Sequence, residues 1–263
     1  MSEMSSTRLI ARLDVKGQTL IKGVHLEGLR VLGDPQAYAK RYYAEGADEL
    51  IYMDIVASLY GRSKLTDIVR LAAEDVFIPM TVGGGIRNLE DVHELLHAGA
   101  DKVAINTAVV HRPELIREVS RRFGSQCMVL SIEAKQQEPG RWEVYTESGR
   151  ERSGMDVVKW ARKGLELGAG EILVTSIDRD GTKRGMDLEL ISAISREVDI
   201  PVISSGGCAS SEHARAAIDL GADAIAVGAA LHSDHIGLIS LRNNLRRLGY
   251  QLRPQPTGFA SHV

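Results

Sequence analysis

Short apolar, β-branched runs alternate along this chain with amphipathic segments of helical period. The pattern predicts strands at 9–15, 49–55, 78–82, 101–105, 127–133, 171–176, 200–204 and 223–227. It predicts helices at 34–45, 63–75, 89–98, 113–123, 155–167, 187–197, 211–220 and 236–248. Strands and helices that alternate throughout argue for a parallel sheet joined by crossovers. Cap chemistry supports the helix ends. Asp34-Pro35 sets an acceptor and a proline at one helix entry, and Ser210-Ser211-Glu212 sets similar groups at another. Gly46, Gly99, Gly168 and Gly221 each stand where a helix should stop in a left-handed cap.

The pattern then repeats at half the chain's length. Ile78–Val110 aligns without a gap on Ile200–His232, with ten of 33 positions identical. The same offset of 122 lays Glu45–Ile55 on Leu167–Ile177, and an offset of 119 lays LDVK (Leu13–Lys16) on IEAK (Ile132–Lys135). Two copies of a four-strand unit have a natural closed form, the (β/α)8 TIM barrel of the α/β class, built from two half-barrel repeats. At 263 residues the chain is near the usual size of one barrel. The expected organisation is a single barrel over 1–253 and a disordered tail over 254–263.

Composition narrows the functional classes. A net charge of −3 gives no electrostatic footprint for nucleic acid or anionic membrane. MSEMSSTR has no apolar export core, and no run approaches membrane-spanning length. Two cysteines, Cys127 and Cys208, are too few for a disulfide framework, so a cytoplasmic location is expected. No His, Cys and carboxylate cluster has metal-ligand spacing, and neither a metal nor an organic cofactor is expected. His25, His93, His97, His111, His213, His232 and His235 read as surface or loop residues.

Two connections exceed what the fold requires, Lys16–Gly33 and Gln136–Gly154, the second containing WEVYT with hairpin character. Both follow a strand and so belong to the C-terminal face, where barrels place their chemistry. Asp14 and Glu133 end the first and fifth strands, opposite one another and equivalent under the repeat, as a general acid and base across one mouth would be. Asp180, in SIDRDGT, is a third candidate, with a turn-forming Asp-Gly as its bland reading. Gly83-Gly84-Gly85 with Asn106-Thr107 forms one candidate anion pocket, because absent side chains let backbone N–H groups reach a phosphate. Gly206-Gly207 with Gly228-Ala229 forms its copy. Two such pockets imply a substrate with a phosphate at each end.

Together LDVKGQTLIKGVHLEGLR, TVGGGIR, AGADKVAINTA, LGAGEILVTSIDRDGTKRG and IPVISSGG resemble the cyclase subunit of imidazole glycerol phosphate synthase, in order from about Arg8 to Arg253. The resemblance implies a heterodimer with a glutaminase that supplies ammonia. It also implies conversion of a bis-phosphorylated ribulosyl-aminoimidazole-carboxamide ribonucleotide to imidazole glycerol phosphate and aminoimidazole carboxamide ribotide. By resemblance Asp14 is the first catalytic aspartate and Lys22 the mobile-loop lysine. One phosphate site takes Gly85, Asn106 and Thr107, and the other takes Asp180, Gly181, Gly207, Gly228 and Ala229. Arg8, Glu49, Lys102 and Glu171 match a charged ring that gates ammonia at the barrel's bottom, and Asp101 matches a partner-contacting position.

Two residues depart from the family. Glu133 stands where an aspartate is expected, and the added methylene moves the carboxylate by roughly 1 Å, a displacement able to cost about 100-fold in rate. Arg12 stands where the family has a small residue, usually cysteine. Because side chains alternate along a strand, Arg8, Ile10, Arg12 and Asp14 share a face, and Arg12 lies below Asp14 on the ammonia route. A buried guanidinium demands a carboxylate, so pairing of Arg12 with Glu133 is expected, with a lowered Glu133 pKa. The departures keep two alternatives open: a paralogue acting on another phosphosugar or nucleotide, and a non-catalytic, ammonia-conducting partner of a glutaminase.

Overall fold

In chain order the strands are β1 (Arg8–Lys16), β2 (Thr19–Val24), β3 (Glu27–Gly33), β4 (Glu49–Asp54), β5 (Met80–Gly83) and β6 (Lys102–Ile105), followed by β7 (Met128–Glu138), β8 (Arg141–Thr146), β9 (Glu151–Asp156), β10 (Glu171–Ser176), β11 (Val202–Ser205) and β12 (Ala224–Val227). They belong to a computed structural model that describes residues 6–56 and 65–254. Eight of them, β1-β4-β5-β6-β7-β10-β11-β12, are parallel neighbours, and β12 pairs back onto β1 to close the barrel. These eight are the predicted strands with ends shifted by a residue or two, except that β7 runs on to Glu138. The remaining four form two antiparallel additions, β2–β3 on the end of β1 and β8–β9 on the end of β7. The hairpin expected around WEVYT is β8–β9; β2–β3 had no distinct signal in the hydrophobic pattern.

The helices are α1 (Pro35–Ala44), α2 (Leu65–Asp75), α3 (Leu89–Ala98), α4 (Thr107–His111), α5 (Glu114–Phe123), α6 (Val157–Leu167), α7 (Leu188–Ser195), α8 (Ser211–Asp219), α9 (Ala229–His232) and α10 (Leu238–Arg247). Asp34 accepts from the Gln36 amide at the start of α1, and Ser210 accepts from the His213 amide at the start of α8. Gly99 and Gly168 end α3 and α6 at φ of 117° and 101°, a conformation costly for any residue with a Cβ. α4 and α9 are additional to the predicted set and equivalent under the repeat. The first two residues of the helix expected at 63–75 and all but Pro254 of the expected tail lie outside the described residues.

Alternation along each strand sorts the core into two layers. Leu9, Ala11, Leu13 and Val15 of β1 face outward and join one cluster with the helices. Ile10 faces inward, with Ile51, Val129, Leu173, Ile203 and Ala224, in a separate apolar sleeve inside the barrel. Each such fully buried Leu or Ile contributes about 1.5–3 kcal/mol. Near the chain's end, buried Arg242 donates to the carbonyls of Gly46 and Arg253 and pairs with Asp48 at 2.6 Å. No described helix is long and apolar enough to cross a membrane.

Candidate active site

The strand ends that carry the two additions form a mouth with unequal halves. On one side a cavity of about 340 Å³ is lined by Gly84, Gly85, Asn106, Thr107, Ser131 and Glu133. Gly84 has φ of 103°, and a Cβ there would stand 2.1 Å from the Asp54 carbonyl oxygen, so the loop closes only on glycine. Asn106 begins α4 and donates from Nδ2 to the Tyr145 carbonyl at 2.9 Å, while Thr107 Oγ1 accepts from the Glu147 amide at 3.1 Å. The β8–β9 turn is thereby drawn over the cavity. Its Ser148 hydroxyl donates to the Ile55 carbonyl, and its Gly149 amide donates to Glu133 Oε2 at 2.8 Å.

On the other side Gly181, Gly207, Gly228 and Ala229 line a space of about 20 Å³ together with Arg12, Lys22 and Asp180. Gly207 sits at φ of 88°, with a hypothetical Cβ 2.1 Å from the Gly185 carbonyl oxygen. Lys22, carried in by β2, donates to Asp14 Oδ2 at 2.6 Å and to both oxygens of Asp180 at 3.0 and 3.2 Å. The turn of this hairpin is tied down by the His25 amide, which donates to the Asp180 carbonyl. The sequence-derived candidates therefore divide: Gly85, Asn106, Thr107 and Glu133 border one cavity, whereas Asp14, Lys22 and Asp180 form an ionic cluster, with Lys22, Gly181 and Ala229 also facing an outer groove of about 610 Å³.

Arg12 completes that cluster, and here one expectation fails. Its Nε donates to Asp14 Oδ1 at 2.8 Å, and its Nη1 donates to Thr175 Oγ1 at 2.7 Å and Ser205 Oγ at 3.0 Å. The guanidinium is buried inside the barrel as expected, but its carboxylate partner is Asp14, not Glu133. The two are neighbours on one face of one strand, so the side chain meets Asp14 before it can cross to β7. The pKa expectation fails with it. Burial leads in pushing the Glu133 carboxyl up to about 7, against the lowering pull of Arg12 and the Gly149 N–H, with Asp14 and Asp180 adding to the rise. Glu133 lies deep among its neighbours while part of its surface opens on the cavity. For Asp14 burial also opposes the charge, but Arg12 and Lys22 outweigh it and hold the carboxylate far below its usual range. Lys22 is held charged by Asp14 and Asp180 against its own burial.

At the barrel's opposite end, below the apolar sleeve, four charges form a closed circuit. Arg8 donates to Glu49 at 2.8 Å and to Glu171 at 2.5 Å; Lys102 donates to the same carboxylates at 3.1 and 2.8 Å. Each carboxylate spends one oxygen on each cation. Asp101, beside the ring, is exposed and accepts from the Met80 amide.

His232 is the residue that sequence reasoning misplaced. It closes α9, is buried rather than on the surface, and its Nδ1 lies 2.6 Å from the Tyr42 hydroxyl. Its Nε2 is buried and faces the Arg12 carbonyl. Burial pushes its pKa down to about 4. A four-residue helix has no period from which the buried side of His232 could be read.

Comparison with known proteins adds an independent line. The model of a family described as histidine biosynthesis protein matches residues 8–237. The chain is 67% identical over 204 residues to the imidazole glycerol phosphate synthase subunit HisF of Legionella pneumophila, covering 78% of this chain and 96% of that protein. It is 49% identical over 248 residues to the subunit of the same name from Streptomyces coelicolor, covering 94% and 99%. With that of Corynebacterium diphtheriae it shares 48% over 254 residues, covering 94% and 98%.

Proposed function

From the premise that the chain belongs to the histidine biosynthesis protein family, among imidazole glycerol phosphate synthase cyclase subunits, we propose the reaction, residues and partner that follow. The substrate is the bis-phosphorylated ribulosyl-aminoimidazole-carboxamide ribonucleotide. Ammonia is incorporated, the imidazole ring closes, and cleavage releases imidazole glycerol phosphate and aminoimidazole carboxamide ribotide. The observation that carries this reading is Glu133 at the edge of an open cavity, across the mouth from Asp14, with glycine-lined loops on either side.

Each residue has a task in this reading. Gly85, Asn106 and Thr107 take one phosphate, with backbone N–H groups at the start of α4 as donors. Gly181, Gly207, Gly228 and Ala229 take the other, once Lys22 exchanges part of its contact with Asp180 for the phosphate. Glu133 gives and takes protons close to neutrality, where an acid with its pKa is most effective. Asp14 stays ionised and stabilises positive charge that develops during ring closure. Arg8, Glu49, Lys102 and Glu171 face a docked glutaminase subunit and admit its ammonia.

The decisive experiment supplies the two-phosphate nucleotide with an ammonium salt, which bypasses the glutaminase. Release of both products is the expected outcome; no turnover at saturating substrate rejects the reading. One observation favours a second reading: Arg12 engages Asp14, so the paired carboxylates are not equally available. On that reading the chain is a paralogue for a different phosphorylated substrate, and the same assay returns no product.

A further inference from the structure

Of the two carboxyl groups at the mouth, Asp14 is fully engaged. Arg12 holds its Oδ1 at 2.8 Å and Lys22 holds its Oδ2 at 2.6 Å, and its side chain is 2% exposed. Glu133 meets one backbone donor, the Gly149 amide, and borders the 340 Å³ cavity beside Gly85, Asn106 and Ser131. The residue behind the difference is Arg12. Anchored at Asp14, Thr175 and Ser205, its guanidinium ties β1 to β10 and β11 across the inside of the barrel. A planar fork pinned at three points cannot follow Asp14 through a protonation cycle, and an Arg side chain does not give up its own proton.

We propose that Arg12 is a positioning residue that assigns the proton transfers of this site to Glu133 alone, by locking Asp14 in a permanent ion pair. The assignment deepens the cyclase reading and rests on it only for the activity arm of the test below. The extra methylene of Glu133 fits this division, since it carries the working carboxyl toward the Gly149 amide and the cavity wall. The charged and titratable groups around Glu133 set its titration. From β1 these are Arg12 and Asp14, and from the loop after β10 it is Asp180. Across the cavity stand Asp54, Arg87, His111, Arg112 and Glu147. Of these cations, Arg12 favours the ionised carboxylate most strongly.

The test titrates protein carrying ¹³C at the glutamate side-chain carboxyls, by NMR between pH 5 and 9, with Glu133→Gln identifying the signal. The wild-type signal is expected to have a midpoint near 7. In Arg12→Met it should rise by about one pH unit, because the buried cation that lowers it is gone. In Arg12→Lys it should move little, because the charge stays. Arg12→Gln can still reach the hydroxyls of Thr175 and Ser205 and carries the Met expectation if the Met variant does not fold. A purely structural role for Arg12 would change stability and leave turnover independent of the Glu133 midpoint. A wild-type midpoint below about 5.5, or one that does not move when the charge is removed, overturns the proposal. In the activity arm, ammonium-driven turnover should follow the same midpoint in each variant, and Glu133→Gln should lose about 100-fold or more. Turnover that ignores the Glu133 midpoint also overturns the proposal. No turnover in any variant, with the titrations as expected, instead sinks the cyclase reading and leaves the assignment standing.

Discussion

Substitution of His232 by Asn should flatten the acid limb of the protein's stability. The imidazole is buried and titrates at about 4 when folded, against an ordinary value near 6.5. Between those values the unfolded chain binds a proton that the folded chain refuses, so this contribution to stability is present above pH 6.5 and is lost as pH falls toward 4. A proton bound about 300-fold more weakly in the folded state corresponds to about 3 kcal/mol in full, of which about 2 kcal/mol falls between pH 7 and pH 4.5. Asn keeps an acceptor for the Tyr42 hydroxyl but has nothing to protonate. Urea unfolding of both proteins at pH 7, 5.5 and 4.5 gives the two stabilities. The wild type is expected to be more stable at pH 7, and its lead should shrink by about 2 kcal/mol at pH 4.5. All other titrating groups are common to the pair and cancel in that difference. Parallel curves would refute the reasoning, and would mean that His232 takes its proton in place, against the Arg12 carbonyl. Since His232 closes α9, the same acid shift should loosen the site at Gly228 and Ala229.

Two further outcomes follow from close contacts. Arg242→Met strands the buried Asp48 carboxylate with the Leu9 amide as its remaining hydrogen-bond donor, and should cost about 3–5 kcal/mol. By calorimetry that is a fall in Tm of roughly 6–15 °C, and a fall under about 2 °C would show that water replaces the guanidinium. Gly207→Ala forces a Cβ against the Gly185 carbonyl oxygen at a positive φ, and should cost about 1–3 kcal/mol. It should also raise the KM of ammonium-driven turnover while Gly85-side contacts are untouched; an unchanged KM would show that this glycine does not shape a substrate contact.

The staves of the barrel are legible in the sequence because an inward or outward position follows from period two, and the repeat supplies every strand with a second witness. The ionic ring came from the family resemblance, with Glu49 and Glu171 as copies under the repeat in support. The partner of Arg12 is not legible in this way. Which inward residues touch depends on how a long side chain folds over its own strand, and Arg12 had two carboxylates within reach. The asymmetry of the mouth is equally hidden. Gly84-Gly85 and Gly206-Gly207 are copies under the repeat, yet β2–β3 inserts Lys22 into one half and β8–β9 only roofs the other. That outcome depends on loop packing, which leaves no period to read.

The guanidinium that crosses the barrel has a consequence for the repeat. An offset of 119 sets Arg12 of the first half against Ser131 of the second, and an offset of 122 sets its acceptors Thr175 and Ser205 against Met53 and Gly83. A barrel made from two first halves would hold two buried guanidinium groups and neither hydroxyl to receive them. One made from two second halves would hold the hydroxyls and no cation. The repeat is therefore complementary rather than duplicated at this point: the first half supplies the cation and the second half supplies the hydroxyls that receive it.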